Sequence, residues 1–269
     1  MIGPEMVTAW EAIAPWQNPA FVEQDLVLSR ALVELFQIPL VRETCTLRGG
    51  TALNKLLFNP PTRYSEDIDL VQEKAGPIGA LLDSIRKSLD LWLGKARFES
   101  NSKMNTLVWR FQSSTEPPVG LGLKVEINSR EHGWVGSPVR MPFSVESPWF
   151  SGKTDVVTVV LADLMATKLR ALYQRRKGRD LFDLQMVLER FPDLDLFKVV
   201  NGFRTVMARE GRSITWQELV INMETKLSHR LFAADVPPLL ISGNFDAHSV
   251  WKNLTPRLQE AWDAYTEKG

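Results

Sequence analysis

With one cysteine in 269 residues, Cys45, the chain has no partner for an internal disulfide and no thiolate set for a zinc site. That fits a reducing compartment, most simply the cytoplasm. Neither sign of charge is in excess. The 32 Lys and Arg balance the 32 Asp and Glu, which excludes a polybasic nucleic-acid coat protein but says nothing of local patches. Long apolar runs are missing too. The longest stretches, such as 155–166, carry charges and fall well short of the roughly 20 residues that cross a bilayer, so no membrane partner is expected. Residues 1–20 show neither a basic start nor an apolar stretch, so no signal peptide is expected. The three histidines, His132, His229 and His248, lie far apart without ligand spacing. They read as structural or surface residues, and no Ser-His-Asp cue supports a hydrolase triad. Internal repeats and low-complexity segments are also lacking.

The residues present describe a globular protein. At 44% hydrophobic and 24% charged, the composition supports a packed core without staples, and the length fits one large domain or two small ones. Nine tryptophans follow no period, which makes them core and interface filler rather than a stacking platform. Phe21, Leu28, Leu32 and Leu35 recur at helical spacing over 20–37, and Pro39 ends that helix. A short strand at 44–48 runs into Gly49-Gly50, and 51–58 reads as a helix with Thr51 as its cap. Residues 67–71 alternate as a strand, and 77–93 form a helix. Strands follow at 95–100, 106–112 and 121–128. Residues 129–150 read as loop with at most one strand. From about 155 the pattern is helical, with helices at 160–176, 179–190, 195–208, 214–228 and 247–267. The expected class is α+β: a mixed sheet with flanking helices over 1–153, then a helical domain over 154–269.

The chemistry concentrates in 47–71. A strand, a Gly-Gly pair and a helix start leave backbone N–H groups pointing into open space, an arrangement that binds phosphate; the bland alternative is an ordinary strand-to-helix turn. On a strand, Asp67 and Asp69 project to one face, with Ile68 turned away. Paired carboxylates repel unless they are protonated or bridged by a cation, and all-oxygen ligation selects Mg²⁺ or Mn²⁺. The alternative is a solvated acidic turn. Asp67 follows Gly50 by 17 positions, room for a short helix and a loop before the chain returns as the neighbouring strand. Cradle and carboxylates would then meet at adjacent strand ends.

The run Gly49-Gly50-Thr51-Ala52-Leu53-Asn54-Lys55 followed by Arg63-Tyr64-Ser65-Glu66-Asp67-Ile68-Asp69-Leu70 resembles the AbiEii/AbiGii toxin family, which includes the MenT toxins, within the DNA-polymerase-beta-like nucleotidyltransferase superfamily. Residues 23–36 resemble the family's first helix, and the likeness extends over roughly 20–190. It implies a nucleotidyltransferase fold and a metal-dependent transfer of a nucleoside monophosphate from a nucleoside triphosphate. The acceptor it implies is RNA, at the tRNA 3′ end, and the partner a cognate antitoxin in a toxin–antitoxin or phage-defence pair. Gly49, Gly50 and Thr51 would take the phosphates. Arg63 would reach phosphate or ribose, or pair with Glu66, and Ser65 would touch phosphate, orient the carboxylates or cap a strand end. Glu126, in the apolar strand Lys124-Val125-Glu126-Ile127-Asn128, would complete the metal set with Asp67 and Asp69, unless it is an edge charge facing water.

The family also carries a helix lysine and a later Arg-Asp-x-x-Asp. These match Lys168 and Arg179-Asp180-Leu181-Phe182-Asp183. Lys168 would hold the triphosphate, while Asp180 serves as a cap or orients Lys168, with Asp183 one turn on. Between 168 and 190, seven basic residues face three acidic ones, an excess of four that a nucleic acid could use, or a solvated helix end. Other readings are a transferase acting on a protein or small molecule, and an inactive module of the same fold.

Overall fold

The structure, a computed structural model, describes residues 2–101 and 104–266. The chain divides into two compact units. One holds the residues up to Trp134 together with Pro138–Val159, and the other holds Val135–Ser137 together with Val160 onward.

The first unit opens with α1 (Pro4–Trp10), α2 (Pro19–Gln37) and α3 (Pro39–Thr44). In α2 the Asn18 side chain accepts from Ala20 N at 3.0 Å, and Pro19 supplies a preset first turn. Most of α2 is buried, charged residues included. Glu23 accepts from Ser114 N (2.7 Å) and Ser114 Oγ (2.9 Å), and Asp25 accepts from Trp10 and Trp16 Nε1 and from Lys55 Nζ. Each buried carboxylate therefore has donors, as burial demands.

Then come β1 (Cys45–Arg48), α4 (Gly49–Ala52) with a π-helical turn at Leu53–Leu57, β2 (Asp67–Gln72) and α5 (Gly79–Leu93). The strands β3 (Arg97–Ser100), β4 (Met104–Gln112) and β5 (Gly120–Asn128) complete a five-stranded mixed sheet. Its order is β1-β2-β5-β4-β3, with β2 and β5 parallel and the other pairs antiparallel. Leu121, Leu123, Val125 and Ile127 alternate onto the face covered by α2 and α5, leaving Lys124 and Glu126 on the other. Trp109 fixes α5 there by donating to Asp90 Oδ1 at 2.8 Å. Cys45 is a buried core residue.

A hairpin of β6 (Pro138–Glu146) and β7 (Ser151–Val159) supplies the one strand allowed within 129–150 and corrects the reading of helix from 155, since 155–159 is strand. Val139, Met141, Phe143 and Val145 alternate in β6, but Pro138 and Pro142 interrupt the pattern, as a strand outside a sheet interior permits. In β7 the β-branched run Val156-Val157-Thr158-Val159 holds the chain extended, and Thr158 donates to Leu47 O at 2.9 Å. The division therefore falls after Val159 rather than at 153, which lies inside β7.

The second unit contains α6 (Leu161–Gln174), α7 (Gly178–Arg190), α8 (Leu196–Arg209), α9 (Trp216–Leu227) and α10 (Ala247–Thr266). Position 267, the expected end of the last helix, lies outside the described residues. Thr215 and Glu218 form a reciprocal capping box at α9. Gly202 lets α8 approach Ala166 of α6, where a Cβ would collide. Phe203, Trp216 and Trp262 pack with ring centroids 5.9 and 5.7 Å apart. Among the described residues no helix is long and apolar enough to cross a membrane.

Candidate active site

Gly49 makes the turn from β1 into α4 at φ +82°, in the left-handed region that side chains resist. Space demands glycine as well: a Cβ at Gly49 would overlap Asp69 Oδ2. The Asp69 carboxylate therefore lies directly on the Gly49 α-carbon. At Gly50 a Cβ would overlap the Arg63 guanidinium and come within 3.2 Å of Ser65 Oγ. Arg63 is buried, and it donates to Tyr64 O at 2.8 Å.

Thr51 does not cap the helix, as its position had suggested, because α4 begins two residues earlier. Buried, it donates from Oγ1 to Asp67 O at 2.5 Å, which leaves it to accept from Ser65 Oγ at 2.8 Å. Cradle and carboxylate strand are thus joined through two hydroxyls.

Sequence reasoning missed Asn54. Its Nδ2 donates to Gly50 O at 3.0 Å, and its Oδ1 accepts from Thr62 N (2.9 Å), Thr62 Oγ1 (3.1 Å) and Arg63 N (3.2 Å). One buried amide thereby fixes the segment carrying Arg63 against the turn carrying Gly50. It falls inside the run Gly49–Lys55 that carries the family resemblance, but no role was assigned to it there. Its signal was a polar residue beside Lys55 in the mainly apolar Ala52–Phe58 stretch.

On β2, Asp67 and Asp69 occupy one face. In the parallel ladder Asp67 is opposite Lys124 and Asp69 is opposite Glu126, while on the other side Asp69 is opposite Arg48. Lys124 Nζ stands 3.8 Å from Asp67 Oδ1. Burial pushes the Asp67 carboxyl up to about 7; Lys124 opposes this, and Glu66, Asp69 and Glu126 add to it. Among the described residues no three His, Cys, Asp or Glu side chains are grouped so as to hold a metal. The donor chemistry still suits a hard cation: the candidate ligands are oxygens only, and burial with the neighbouring carboxylates raises the Asp67 carboxyl.

In the helical unit, Lys168 on α6 lies buried between Asp183 Oδ2 (2.7 Å) and Asp180 Oδ1 (3.3 Å) of α7. Arg175 adds two bonds to Asp180, at 2.7 and 2.9 Å. Burial alone would raise Asp180, but Lys168 and Arg175 outweigh it and hold its carboxyl below the usual range. Both Asp180 and Asp183 therefore engage the lysine. Much of the basic set of 168–190 is spent on internal pairs: Arg170 pairs with Glu210 at 3.1 Å and Arg179 with Asp235 at 3.9 Å, in addition to Lys168 and Arg175.

Gly49, Gly50, Thr51, Arg63, Ser65, Asp67, Asp69 and Glu126 thus belong to one sheet-and-turn assembly in the first unit. Lys168, Asp180 and Asp183 gather in the second.

The family model described as "Nucleotidyl transferase AbiEii toxin, Type IV TA system" matches residues 30–266. Among solved structures, MenT4, a nucleotidyltransferase toxin from Mycobacterium tuberculosis H37Rv, shares the fold with a TM-score of 0.64. It is 16% identical, over 99% of this chain and 90% of that one. The Bradyrhizobium diazoefficiens CD-NTase CdnG, solved in complex with GTP, is 14% identical over 85% of this chain and 59% of that one, with a TM-score of 0.22. No curated protein matches the sequence.

Proposed function

Because the chain belongs to the nucleotidyl transferase AbiEii toxin family of type IV toxin–antitoxin systems, we propose that it transfers a nucleoside monophosphate from a nucleoside triphosphate to RNA, at the tRNA 3′ end. It would act in the cytoplasm, in a phage-defence pair with an antitoxin encoded beside it. One observation carries the reading: the Asp69 carboxylate rests on Gly49, and the Arg63 and Ser65 side chains meet at Gly50. Acidic ligands and phosphate cradle are therefore one assembly.

In this reading the backbone N–H groups at Gly49, Gly50 and Thr51 take the triphosphate oxygens, and Arg63 offsets their charge. Ser65 and Thr51 keep the cradle in register with β2 through their shared hydrogen bond. Asp67, Asp69 and Glu126 would hold Mg²⁺ or Mn²⁺, which when bound supplies positive charge to the reacting phosphate and acidifies the acceptor hydroxyl. The carboxylates also fix where the acceptor enters, and the pre-set geometry spares reorganisation during transfer.

The test is incubation of the protein and tRNA with each of the four triphosphates labelled at the α-phosphate, with and without Mg²⁺. Label at the RNA 3′ end is expected, falling at least about 100-fold for Asp69→Ala. Label found only on protein or on a small molecule would overturn the acceptor, and undiminished transfer by Asp69→Ala would overturn the catalytic assignment.

A further inference from the structure

The carboxylate face of the sheet continues past the cradle, and the strand register shows what it presents. One row crosses four strands as Asp67, Lys124, Val108 and Arg97, on β2, β5, β4 and β3. The next row runs Asp69, Glu126, Thr106 and Glu99. One step the other way along the strands, Arg110 of β4 stands opposite Gly122 of β5. Residues in register share a face, so Lys124, Arg97 and Arg110 point to the side of Asp67, away from the face that α2 and α5 cover.

All three cations are exposed. Gly122 puts no side chain beside Arg110. Among the described residues, Lys124 contacts Asp67, and Arg97 pairs with Glu99 at 3.4 Å. The Arg97–Glu99 pair is open to water and holds the guanidinium weakly, so an incoming phosphate can replace the carboxylate.

A polyanionic acceptor meets an electrostatic difficulty at this site. Asp67, Asp69 and Glu126 repel its phosphates at the point where its end must react. Positive charge is needed along the approach, and the exposed Lys124, Arg97 and Arg110 supply it beside the Asp67 row. With strands about 4.8 Å apart, Arg97 lies roughly 14 Å from Asp67 across three strand gaps, the length of a few nucleotides.

We propose that Lys124, Arg97 and Arg110 form a track for the sugar–phosphate backbone of the acceptor's single-stranded 3′ end, leading it to Asp67 and Asp69. The inference rests on the RNA-acceptor reading above and adds the surface that binds the RNA. Phosphate contacts of this kind position the strand without reading its sequence.

Transfer kinetics of the wild type and the double variant Arg97→Gln/Arg110→Gln, at several salt concentrations, test the proposal. Lys124 stays intact because it touches Asp67. The RNA KM is expected to rise about tenfold, with kcat and the triphosphate KM unchanged. The dependence of log KM on log salt should flatten by about 1.4, for two lost phosphate contacts to a single strand. Arg97→Lys/Arg110→Lys should restore most of the affinity. Should the double variant melt lower, Arg110→Gln alone is read, with half that change in slope. Labelled RNA with wild-type KM and slope in the variant overturns the track and leaves the function standing. If the wild type never labels RNA, the functional reading falls and the track falls with it.

Discussion

At Gly49 two demands coincide, and they can be separated. The φ of +82° asks for glycine on conformational grounds, and the Asp69 carboxylate occupies the space of a Cβ. Alanine in the left-handed region costs about 1–2 kcal/mol, a modest fraction of a domain's stability. The displaced carboxylate matters more, because Asp69 is held where cradle and strand meet. Gly49→Ala is expected to fold with a melting temperature lowered by several degrees, and to lose transfer by at least about 100-fold. Melting curves and label incorporation check both parts. An inactive variant with an unchanged melting temperature would leave the conformational argument without support.

Between elements, charged side chains bind helix ends and loops at positions no motif announces. Lys226 of α9 donates to Leu172 O and to Tyr173 O (2.7 Å), at the end of α6. Burial lowers its pKa to about 8, with Asp180 opposing and Arg176 reinforcing. The sign follows from proton counting. From about pH 8 to the ordinary lysine value, the unfolded chain binds more protons at this position than the folded one. Lys226 therefore adds stability as pH rises through that window, and the contribution is lost as pH falls through about 8. Denaturant unfolding of the wild type minus Lys226→Met, followed from pH 7 to 10.5, should show this rise; a flat difference contradicts it. Legibility in the sequence divides along similar lines. Gly49-Gly50 and Asp67-x-Asp69, which the fold brings together, could be picked out as candidates because the chemistry proposed for them depends on short spacings along the chain. Asn54 could not, since its partners Gly50, Thr62 and Arg63 are gathered by folding. The β6–β7 hairpin was obscured because prolines broke the alternation of β6 and a valine-rich run resembled the start of a helix.

For the whole molecule, equal numbers of acidic and basic residues conceal a segregation. Residues 63–83 hold five acidic against two basic residues, and 168–190 hold seven basic against three acidic. In the acidic set, burial and the neighbouring carboxylates raise the Asp67 carboxyl, whereas much of the basic set is spent on internal pairs. Ligands that bring positive charge to the acidic set should therefore stabilise the folded protein. Mg²⁺ with a triphosphate at about 100 times its dissociation constant is expected to add about 2.7 kcal/mol. Scanning calorimetry should show a higher melting temperature for the wild type and none of that rise for Asp67→Asn/Asp69→Asn. The path of the chain between its units has a different consequence, one for recombination. The chain leaves the first unit at Val135, returns at Pro138 and departs finally at Val160. Neither unit is a contiguous stretch of the coding sequence. A crossover placed after Val159 would transplant a helical unit stripped of Gly136, whose backbone N donates to Asp163 Oδ2 at 2.8 Å. A chimera that keeps this unit whole has to carry the three-residue excursion with it.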